Sequence, residues 1–369
     1  MSAALPRRDF LTGVFGSVLA AGIAVPMRSR AADLTLKKAA QTHELFWGAA
    51  VQHMELARDA TFADLVAEQC AVIVPEWEMK WAAIEKHRGK PNFAQADAIV
   101  RFASEHGLKL RGHTLIWHRS IPEWAKDILG QPGGWDAVAT HIAAMLHRYG
   151  DSRFIHWDVL NEVIEPNDGR DDGLRASPFL KAFGPDYIPL SLTLAREAAP
   201  GMRLYINEYG VDYDGSVERA RRAALLRLVD TLKTEKVPLD GIGIQGHLRL
   251  DGSPFSETAL STFLRDLASH GVRITITELD VREGDLKMPL NIRDTRVADE
   301  VRRYLDVALQ EPAVEGIVSW GLSDRYSWRT TPALRQQGLV NRGLPFDDAL
   351  RPKAVTKAIV AALERRRPG

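Results

Sequence analysis

The stretch FIHWDVLNE, residues 154–162, decides the predicted fold. It begins as a largely apolar strand and ends in Asn161 and Glu162, where the chain turns into the polar, glycine-containing segment VIEPNDG. A carboxylate in an apolar setting is costly unless it has partners. Glu162 therefore needs a reason to stand at the end of a buried strand, and a functional site at that strand end is such a reason.

Seven other short apolar runs resemble this one, and helical segments separate them. The helical segments have apolar residues at three-to-four spacing, which is typical of amphipathic helices. The apolar runs are nearly continuous, as in strands that are covered on both faces. The runs are 46–51, 70–76, 108–117, 203–208, 241–247, 272–280 and 316–322, and the helical segments are 62–69, 95–106, 136–149, 191–199, 217–233, 257–270, 295–310 and 352–366. Gly107, Gly150 and Gly271 are placed to end helices in the left-handed conformation.

The alternation of strand and helix predicts the fold. Eight repeats without a break indicate a parallel sheet closed into a (β/α)8 TIM barrel, a single α/β domain that covers residues 33–369. In such barrels the chemistry lies at the carboxyl ends of the strands. The strand at 154–162 would thus deliver Asn161 and Glu162 to the rim where a substrate binds.

The other predicted strands also end in polar or aromatic residues. Any one of them could be structural, since a lone strand-end glutamate is more often paired in a surface salt bridge than catalytic. Their joint occurrence at one end is hard to attribute to core packing. These residues are Glu76, His113, Trp117, His118, Gln245, His247, Glu278, Asp280 and Trp320.

Two of these residues, Glu162 and Glu278, lie on the fourth and seventh strands, roughly across the rim from each other. Glycoside hydrolysis needs one protonated carboxyl group for the leaving oxygen and one ionised carboxylate for the anomeric carbon. The environments of the two groups should push their pKa values apart. Tryptophans at the strand ends would stack on sugar rings, and polar side chains would bind hydroxyls.

Composition and motif searches argue against other classes of function. Lys+Arg 48 balance Asp+Glu 48, so no nucleic-acid or anionic-membrane partner is indicated. We expect no catalytic metal and no cofactor, because the strand ends offer no separate cluster of three to four His, Asp or Glu residues. The match of GIGIQG (241–246) to a dinucleotide-binding motif lacks the helix that should follow it. A Schiff-base aldolase would need a lysine where Gln245 and His247 stand.

The basic run ERARRAALLR (218–227) predicts a solvated helix face.

The first residues of the chain have the pattern of an export signal. The pair Arg7–Arg8 precedes a moderately apolar run that is short for a membrane span, then small residues. This resembles a twin-arginine signal over residues 1–32 with cleavage near Ala31 or Ala32, which N-terminal sequencing of the mature protein would check. We therefore expect a periplasmic or secreted protein with no membrane contact in its mature form; an uncleaved anchor is the alternative. Cys70 is alone in the chain and is predicted to be a buried core residue.

The order and spacing of eight motifs carry a resemblance to a known family. From about residue 42 to about residue 360 the chain resembles glycoside hydrolase family 10, the endo-β-1,4-xylanases. The motifs are PEWEMKW (75–81), LRGHTLIWH (110–118), WDVLNE (157–162), LYINEY (204–209), GIGIQGHL (241–248), ITELD (276–280), SWGLSD (319–324) and SW (327–328).

The resemblance implies an endo-1,4-β-xylanase that acts on xylan or xylo-oligosaccharides, as a monomer, with retention of configuration. It implies that Glu162 is the general acid/base and Glu278 the nucleophile, with their carboxyl groups roughly 5–5.5 Å apart. His247 would bind Glu278 and be oriented by Asp280, and Asn161 would hold the 2-hydroxyl of the attacked sugar. The glycone side of the cleft would be lined by Glu76, Lys80, His113, Trp117, Gln245, Trp320 and Trp328.

Three positions depart from the family pattern and leave alternatives open. Trp77 replaces the Asn of E-N-x-M-K-W, and Glu208 and Gly210 change the fifth motif from N-D-Y-N to N-E-Y-G. These changes predict an altered subsite at Trp77 and a reshaped aglycone edge at the other two positions. The alternatives are a retaining endo-glycosidase on another β-linked polymer, an enzyme for short or decorated xylo-oligosaccharides, or a non-catalytic carbohydrate-binding relative.

Overall fold

Eight parallel strands form the centre of the molecule. The structure is a computed structural model that describes residues 1–2 and 35–366, and a compact unit begins at Thr35. The barrel strands are β1 (Phe46–Val51), β2 (Val72–Pro75), β3 (Lys109–Gly112), β4 (Phe154–Asn161), β5 (Leu204–Glu208), β6 (Gly241–Ile244), β7 (Arg273–Arg282) and β8 (Val314–Ser319). β8 pairs in parallel with both β7 and β1, so the sheet closes on itself. The predicted (β/α)8 barrel is confirmed.

The predicted export signal lies outside the described residues, apart from its first two positions. Its cleavage and the destination of the protein stay predictions. Among the helices that the structure describes, none combines the length and the hydropathy that a bilayer crossing requires.

Two of the predicted strands are interrupted at the rim. The run 108–117 divides into β3 and a short strand, Ile116–Trp117, which pairs with β4. The run 241–247 ends as β6 at Ile244, and a second short strand, His247–Arg249, pairs with β7. Gly246 stands between them with φ +70°, a left-handed conformation that ends a regular strand and that glycine adopts without strain.

Helices surround the barrel on its outer side. The eight predicted helices appear with ends shifted by a few residues, and six shorter helices of four to six residues were not predicted, because fewer than two turns show no clear apolar period. Within the described residues the helices are α1 (Leu36–Gln41), α2 (His53–Arg58), α3 (Ala60–Gln69), α4 (Trp81–Ile84), α5 (Ala94–Glu105), α6 (Glu123–Ile128), α7 (Gly134–Tyr149), α8 (Pro178–Phe183), α9 (Tyr187–Ala198), α10 (Ser216–Thr234), α11 (Glu257–Ser269), α12 (Leu290–Ala308), α13 (Pro332–Gln336) and α14 (Ala354–Glu364).

The prediction of left-handed helix ends holds at two of three glycines. Gly107 has φ +65° and Gly271 has φ +71°, but Gly150 has φ −89°. The prediction was wrong for Gly150, whose role is close packing instead. A Cβ atom at this position would lie 2.3 Å from the carbonyl oxygen of Leu146.

The basic run on α10 is a solvated face only in part. Arg219 and Arg227 are exposed as predicted, but the prediction was wrong for the two arginines between them. Arg221 and Arg222 are only 3% and 7% exposed. Arg222 donates to the carbonyl oxygen of Val211 at 3.0 Å and to Asp214 at 2.5 Å. Arg221 donates to loop residues beside the rim of the barrel. Buried guanidinium groups need such acceptors, which pull both side chains inward.

Apolar packing between barrel and helices forms most of the core, and it includes Cys70 as predicted. The inside of the barrel is partly charged, which the apolar strand runs did not indicate. Arg111 and Asp158 are fully buried and hydrogen-bonded to each other, and Arg111 Nε donates to His156 Nε2 at 3.0 Å. Opposite charges in contact offset part of the cost of burying each one.

Candidate active site

The predicted site residues gather at the carboxyl ends of the barrel strands. Glu76 follows β2, His113 follows β3, Asn161 ends β4 and Glu162 comes directly after it, Gln245 follows β6, Glu278 and Asp280 lie in β7, and Trp320 follows β8. Trp117 and His247 lie on the two short strands at the rim, and Trp328 lies beyond a 3₁₀ turn, Asp324–Tyr326. Side chains from many separate chain segments therefore share one rim.

Backbone hydrogen bonds between strands fix the positions of the two glutamates. The Glu162 N–H donates to the carbonyl oxygen of Asn207 at 2.9 Å, and the Glu278 N–H donates to that of Gln245 at 2.7 Å. Between them, the Gln245 N–H donates to the carbonyl oxygen of Glu208 at 2.8 Å. This chain of contacts crosses β4, β5, β6 and β7, so both glutamates stand at the same level of the barrel.

The carboxylate of Glu162 has only neutral hydrogen-bond donors. Trp117 Nε1 donates to Oε2 at 2.9 Å and Gln245 Nε2 donates to Oε1 at 3.2 Å. Glu162 itself has φ +58°, a left-handed conformation that is uncommon for a residue with a side chain. Such strain is typical of residues whose exact direction matters to a site.

The carboxylate of Glu278 lies in a different environment. Asn207 Nδ2 donates to Oε1 at 2.7 Å, and His247 Nε2 lies 3.2 Å from Oε2. The same Asn207 amide donates to Asn161 Oδ1 at 2.8 Å. One amide group thus connects Glu278 with the residue that precedes Glu162.

A row of alternating charges lies behind Glu278. His247 Nδ1 is 2.8 Å from Asp280 Oδ1, and Asp280 also accepts from Arg329 at 2.7 and 2.8 Å and from Trp328 Nε1 at 2.7 Å. Burial alone would raise the pKa of Asp280, but the charges of His247 and Arg329 lower it to about 2. Burial alone would lower the pKa of His247, but Asp280 and Glu278 raise it to about 10. The imidazole is therefore a cation at neutral pH and donates from both ring nitrogens.

Tryptophans surround the ammonium group of Lys80. Its Nζ lies 4.5 Å from the ring centre of Trp117 and 5.6 Å from those of Trp77 and Trp320. Burial lowers the pKa of Lys80, although Glu278, Glu76 and Glu162 oppose this effect. The Lys80 ammonium group thus interacts electrostatically with both candidate catalytic carboxylates and with Glu76.

Glu76 and His113 lie next to this cluster. Burial raises the pKa of Glu76 to about 7, against the hydrogen bond from Gln52 and the charge of Lys80. His113 Nδ1 lies 2.7 Å from Asp158 Oδ2, and its ring packs edge-on against Trp320 at 5.2 Å. Burial together with Lys80 and Arg111 holds the pKa of His113 well below its usual range. With Nδ1 bound to Asp158, Nε2 is the nitrogen that remains for a ligand.

Sequence reasoning missed two residues of this site. Asn207 ends β5 within the quoted motif LYINEY, so the strand-end rule that selected the other residues could have selected it as well. Arg329 gave no such signal. It lies in a loop after Trp328, and only the three-dimensional structure shows its two bonds to Asp280.

Comparison with known proteins identifies the family. The model of "Glycosyl hydrolase family 10" matches residues 35–362. The chain belongs to glycosyl hydrolase family 10. The prediction of a glycoside hydrolase is confirmed by this match. Trp77, at which an altered subsite is predicted, is 44% exposed and stands beside Lys80 at the rim.

Similar proteins have been described in bacteria and fungi. The chain is 33% identical to Endo-1,4-beta-xylanase A of Thermoanaerobacterium saccharolyticum over 85% of its own length, but it spans only 26% of that relative. It is 33% identical to Endo-1,4-beta-xylanase 1 of Humicola insolens, with 78% of this chain and 67% of that relative covered. The crystal structure of xylanase 10B from Thermotoga petrophila RKU-1 in complex with xylobiose superposes with a TM-score of 0.79 at 28% identity, covering 90% of this chain and 98% of that one.

The charge row behind Glu278 yields a prediction for Asp280→Asn. Removing the anion at Asp280 should lower the pKa of His247 from about 10 by roughly one to three pH units, because an opposite charge in contact shifts a pKa by that amount. A raised folded pKa means that protonated His247 stabilises the fold below pH about 6.5 and that this contribution is lost as the pH rises through about 10. The change is measured by NMR titration of the labelled imidazole nitrogens.

A suitable control is Asp97→Asn, which removes a carboxylate that pairs with Arg148 on the outer helices. This control should leave the pKa of His247 unchanged. An unchanged His247 pKa in Asp280→Asn would contradict the assignment of Asp280 as the group that keeps the imidazole charged.

Proposed function

We propose that this protein is an endo-1,4-β-xylanase that cleaves xylan with retention of configuration through a covalent glycosyl-enzyme. One observation carries the assignment of roles. Glu278 accepts from a cationic imidazole, whereas the side-chain donors to Glu162 are neutral. A neighbouring cation favours the ionised form of a carboxyl group, which is the form a nucleophile needs. Glu162 is then the group that can carry a proton.

In the first step Glu278 attacks the anomeric carbon of the bound sugar. Glu162 donates its proton to the glycosidic oxygen as the bond from that oxygen to the anomeric carbon breaks. The aglycone chain leaves with this proton, and a bond from the Glu278 carboxylate to the sugar replaces the one that was lost. The Asn207 amide on Glu278 Oε1 keeps this carboxylate in place for the attack.

In the second step a water molecule attacks the same carbon. Glu162, now ionised, takes a proton from the water, and the bond to Glu278 breaks. Two inversions give net retention, and both groups return to their starting protonation states. Trp117 and Gln245 hold the Glu162 carboxylate in one orientation for both proton transfers.

The residues around Lys80 fit the glycone side of such a substrate. Flat indole faces at Trp117, Trp320 and Trp328 can stack on sugar rings. The Lys80 ammonium, Glu76 and the free ring nitrogen of His113 can bind sugar hydroxyls. Asn161, whose side-chain oxygen is bound to Asn207, presents its remaining amide donor for the 2-hydroxyl. This arrangement contains binding groups for a neutral, hydroxyl-rich polymer.

A reducing-sugar assay on xylan, carboxymethyl-cellulose and mannan tests the substrate. The proposal expects release from xylan to dominate, and dominant release from either other polymer would favour the alternative of another β-linked substrate. NMR observation of the first product from an aryl β-xylobioside tests the stereochemistry. The β-anomer should appear first, and an initial α-anomer would refute retention.

Substitution of the two glutamates should produce different kinetic patterns. Glu278→Ala should lower kcat/KM by at least about 10³-fold on every substrate, because no bond to the sugar can form. Glu162→Ala should lower kcat/KM on xylan by about 10²–10⁴-fold but spare 2,4-dinitrophenyl β-xylobioside, whose leaving group needs little acid assistance. Steady-state kinetics on both substrates measures the difference.

Glu123→Ala is the control for both variants, because the Glu123 side chain is 88% exposed on α6 and lies outside the site. It should behave as the unmodified protein. Equal losses on the two substrates in Glu162→Ala would refute its role as the acid, and unchanged product release from xylan in Glu278→Ala would refute its role as the nucleophile. Absence of product release by the unmodified protein would favour the non-catalytic alternative.

Trp77 supports a more specific proposal about which substrates the protein prefers. Its exposed ring replaces an amide at a subsite one sugar further from the cut, so it offers stacking in place of hydrogen bonds to hydroxyls. We propose that this favours short or decorated xylo-oligosaccharides over bulk xylan.

Trp77→Asn should therefore raise kcat/KM on xylan relative to xylotriose several-fold, as hydrogen-bonding to an unbranched chain returns; a subsite contact is worth roughly 1–2 kcal/mol. Steady-state kinetics on xylan and on xylotriose measures this ratio, and the product profile from defined xylo-oligosaccharides shows the preferred chain length. The control Leu190→Asn removes an exposed apolar side chain on α9 and should not change the ratio. A ratio that Trp77→Asn leaves unaltered would exclude Trp77 as a specificity residue.

A further inference from the structure

Glu208 ends β5 with a carboxyl group that the steps above leave without a role. The residue has no exposed surface. The Ile164 N–H donates to Glu208 Oε1 at 2.9 Å. The other oxygen, Oε2, is buried and has no hydrogen-bond partner among the described residues. A buried carboxyl group with one bond is costly, so its presence calls for a function.

The bond from Ile164 connects Glu208 to the turn that begins at Glu162. This turn starts with the left-handed conformation of Glu162, which a chain adopts only where its surroundings hold it. Two consecutive residues of β5 supply such contacts. Asn207 accepts the Glu162 N–H through its carbonyl oxygen, and Glu208 accepts the Ile164 N–H through its side chain.

Two arginines, the half-buried Arg175 and the buried Arg221, hold the other side of the same turn. Arg175 Nε donates to the carbonyl oxygen of Glu162 at 2.6 Å, and Arg221 Nη1 donates to that of Ile164 at 2.5 Å. Arg221 also binds Glu165 at 3.0 Å through both carboxylate oxygens. The N–H of Ile164 is thus bound by an acidic side chain and its carbonyl oxygen by a basic one.

The charges around Glu208 agree with a neutral carboxyl group at the working pH. Burial raises the pKa of Glu208 to about 8, while Arg221, the Ile164 N–H and Arg175 oppose this and Glu162 adds to it. The phenol groups of Tyr187 and Tyr209 lie in the same surroundings. A neutral group of this shape is closely imitated by glutamine, which keeps the acceptor oxygen.

We propose that Glu208 is a positioning residue for Glu162, which it serves by anchoring the turn 162–164 through the Ile164 N–H. This inference rests on the proposed acid/base role of Glu162. Loss of the anchor releases the left-handed residue and moves the Glu162 carboxyl group away from the glycosidic oxygen. The defect then concerns proton donation, whereas the Glu278 nucleophile, held by Asn207 and His247, keeps its position.

The test compares Glu208→Ala, Glu208→Asp and Glu208→Gln on two aryl β-xylobiosides. The first carries 2,4-dinitrophenol, which leaves without acid assistance, and the second carries phenol, which needs it. Aspartate is one methylene too short to reach the Ile164 N–H. The alanine and aspartate variants should lose about 10–10²-fold in kcat/KM on the phenyl substrate, as a misplaced catalytic group does, and less than about threefold on the dinitrophenyl substrate. The glutamine variant should have a kcat/KM on the phenyl substrate within a few-fold of that of the unmodified protein.

A matched control is Glu300→Asp. Glu300 is another buried glutamate, lies on α12, and accepts a hydrogen bond from Tyr213 Oη at 2.7 Å. Its ratio of the two rates should be that of the unmodified protein. If Glu208→Ala does not fold, the aspartate and glutamine variants decide the question. Equal losses on both substrates, no loss on either, or a glutamine variant as slow as alanine would each overturn the proposal.

Glu162→Ala in the same assay separates this inference from the proposed function. A strong leaving-group effect in Glu162→Ala without one in the Glu208 variants would refute only the positioning role. Absence of the effect in Glu162→Ala would refute the acid/base assignment itself.

Discussion

The site depends on one constraint, the closure of eight parallel strands into a ring. Closure pairs every strand with a neighbour on each side. Along the part of the rim formed by β4 to β7, the backbone bonds from Glu162 to Asn207, from Gln245 to Glu208 and from Glu278 to Gln245 continue this pairing to the strand ends. Glu162 and Glu278 are 116 residues apart in the chain (278 − 162), yet their relative position is set by three backbone bonds. The backbone bonds fix the register of these strands, and the side chains determine the direction and the charge of the groups at the site.

Charge is distributed unequally around that frame, so the two glutamates have different surroundings. Behind Glu278 stands the series His247, Asp280 and Arg329, in which each group stabilises the charge of the next. Each hydrogen bond replaces one that the buried group would make with water. The charged groups of the series can therefore stay ionised in the low-dielectric interior. Glu162 has no comparable series, since an indole and an amide contact its carboxylate.

The sequence predicts the barrel well because its signal is repeated eight times, and a strand end is visible wherever an apolar run stops in a polar residue. It predicts less where a side chain acts against that pattern. Arg111 and Asp158 lie inside apparently apolar strands because they neutralise each other, and no periodicity reveals a pair 47 residues apart. Arg221 and Arg222 read as a solvated face because the acceptors that bury them lie on other segments. Asn207 was in view within its motif, but its contacts to Asn161 and Glu278 became apparent only with the closed ring.

The two departures in the fifth motif, Glu208 and Gly210, belong together in physical terms. Glu208 is fully buried, so any effect it has on the aglycone edge acts through the turn after Glu162. Gly210 has φ +66°, and a Cβ atom there would lie 3.1 Å from Arg221 Nε. Glycine therefore lets the Arg221 guanidinium lie close to the chain and reach the Ile164 carbonyl oxygen. Glu208 thus binds the N–H of Ile164 directly, and Gly210 makes room for the arginine that binds the carbonyl oxygen of the same residue. A side chain at position 210 would have to adopt this left-handed conformation and would press on Arg221, which binds the Ile164 carbonyl oxygen on the side of the turn opposite Glu208.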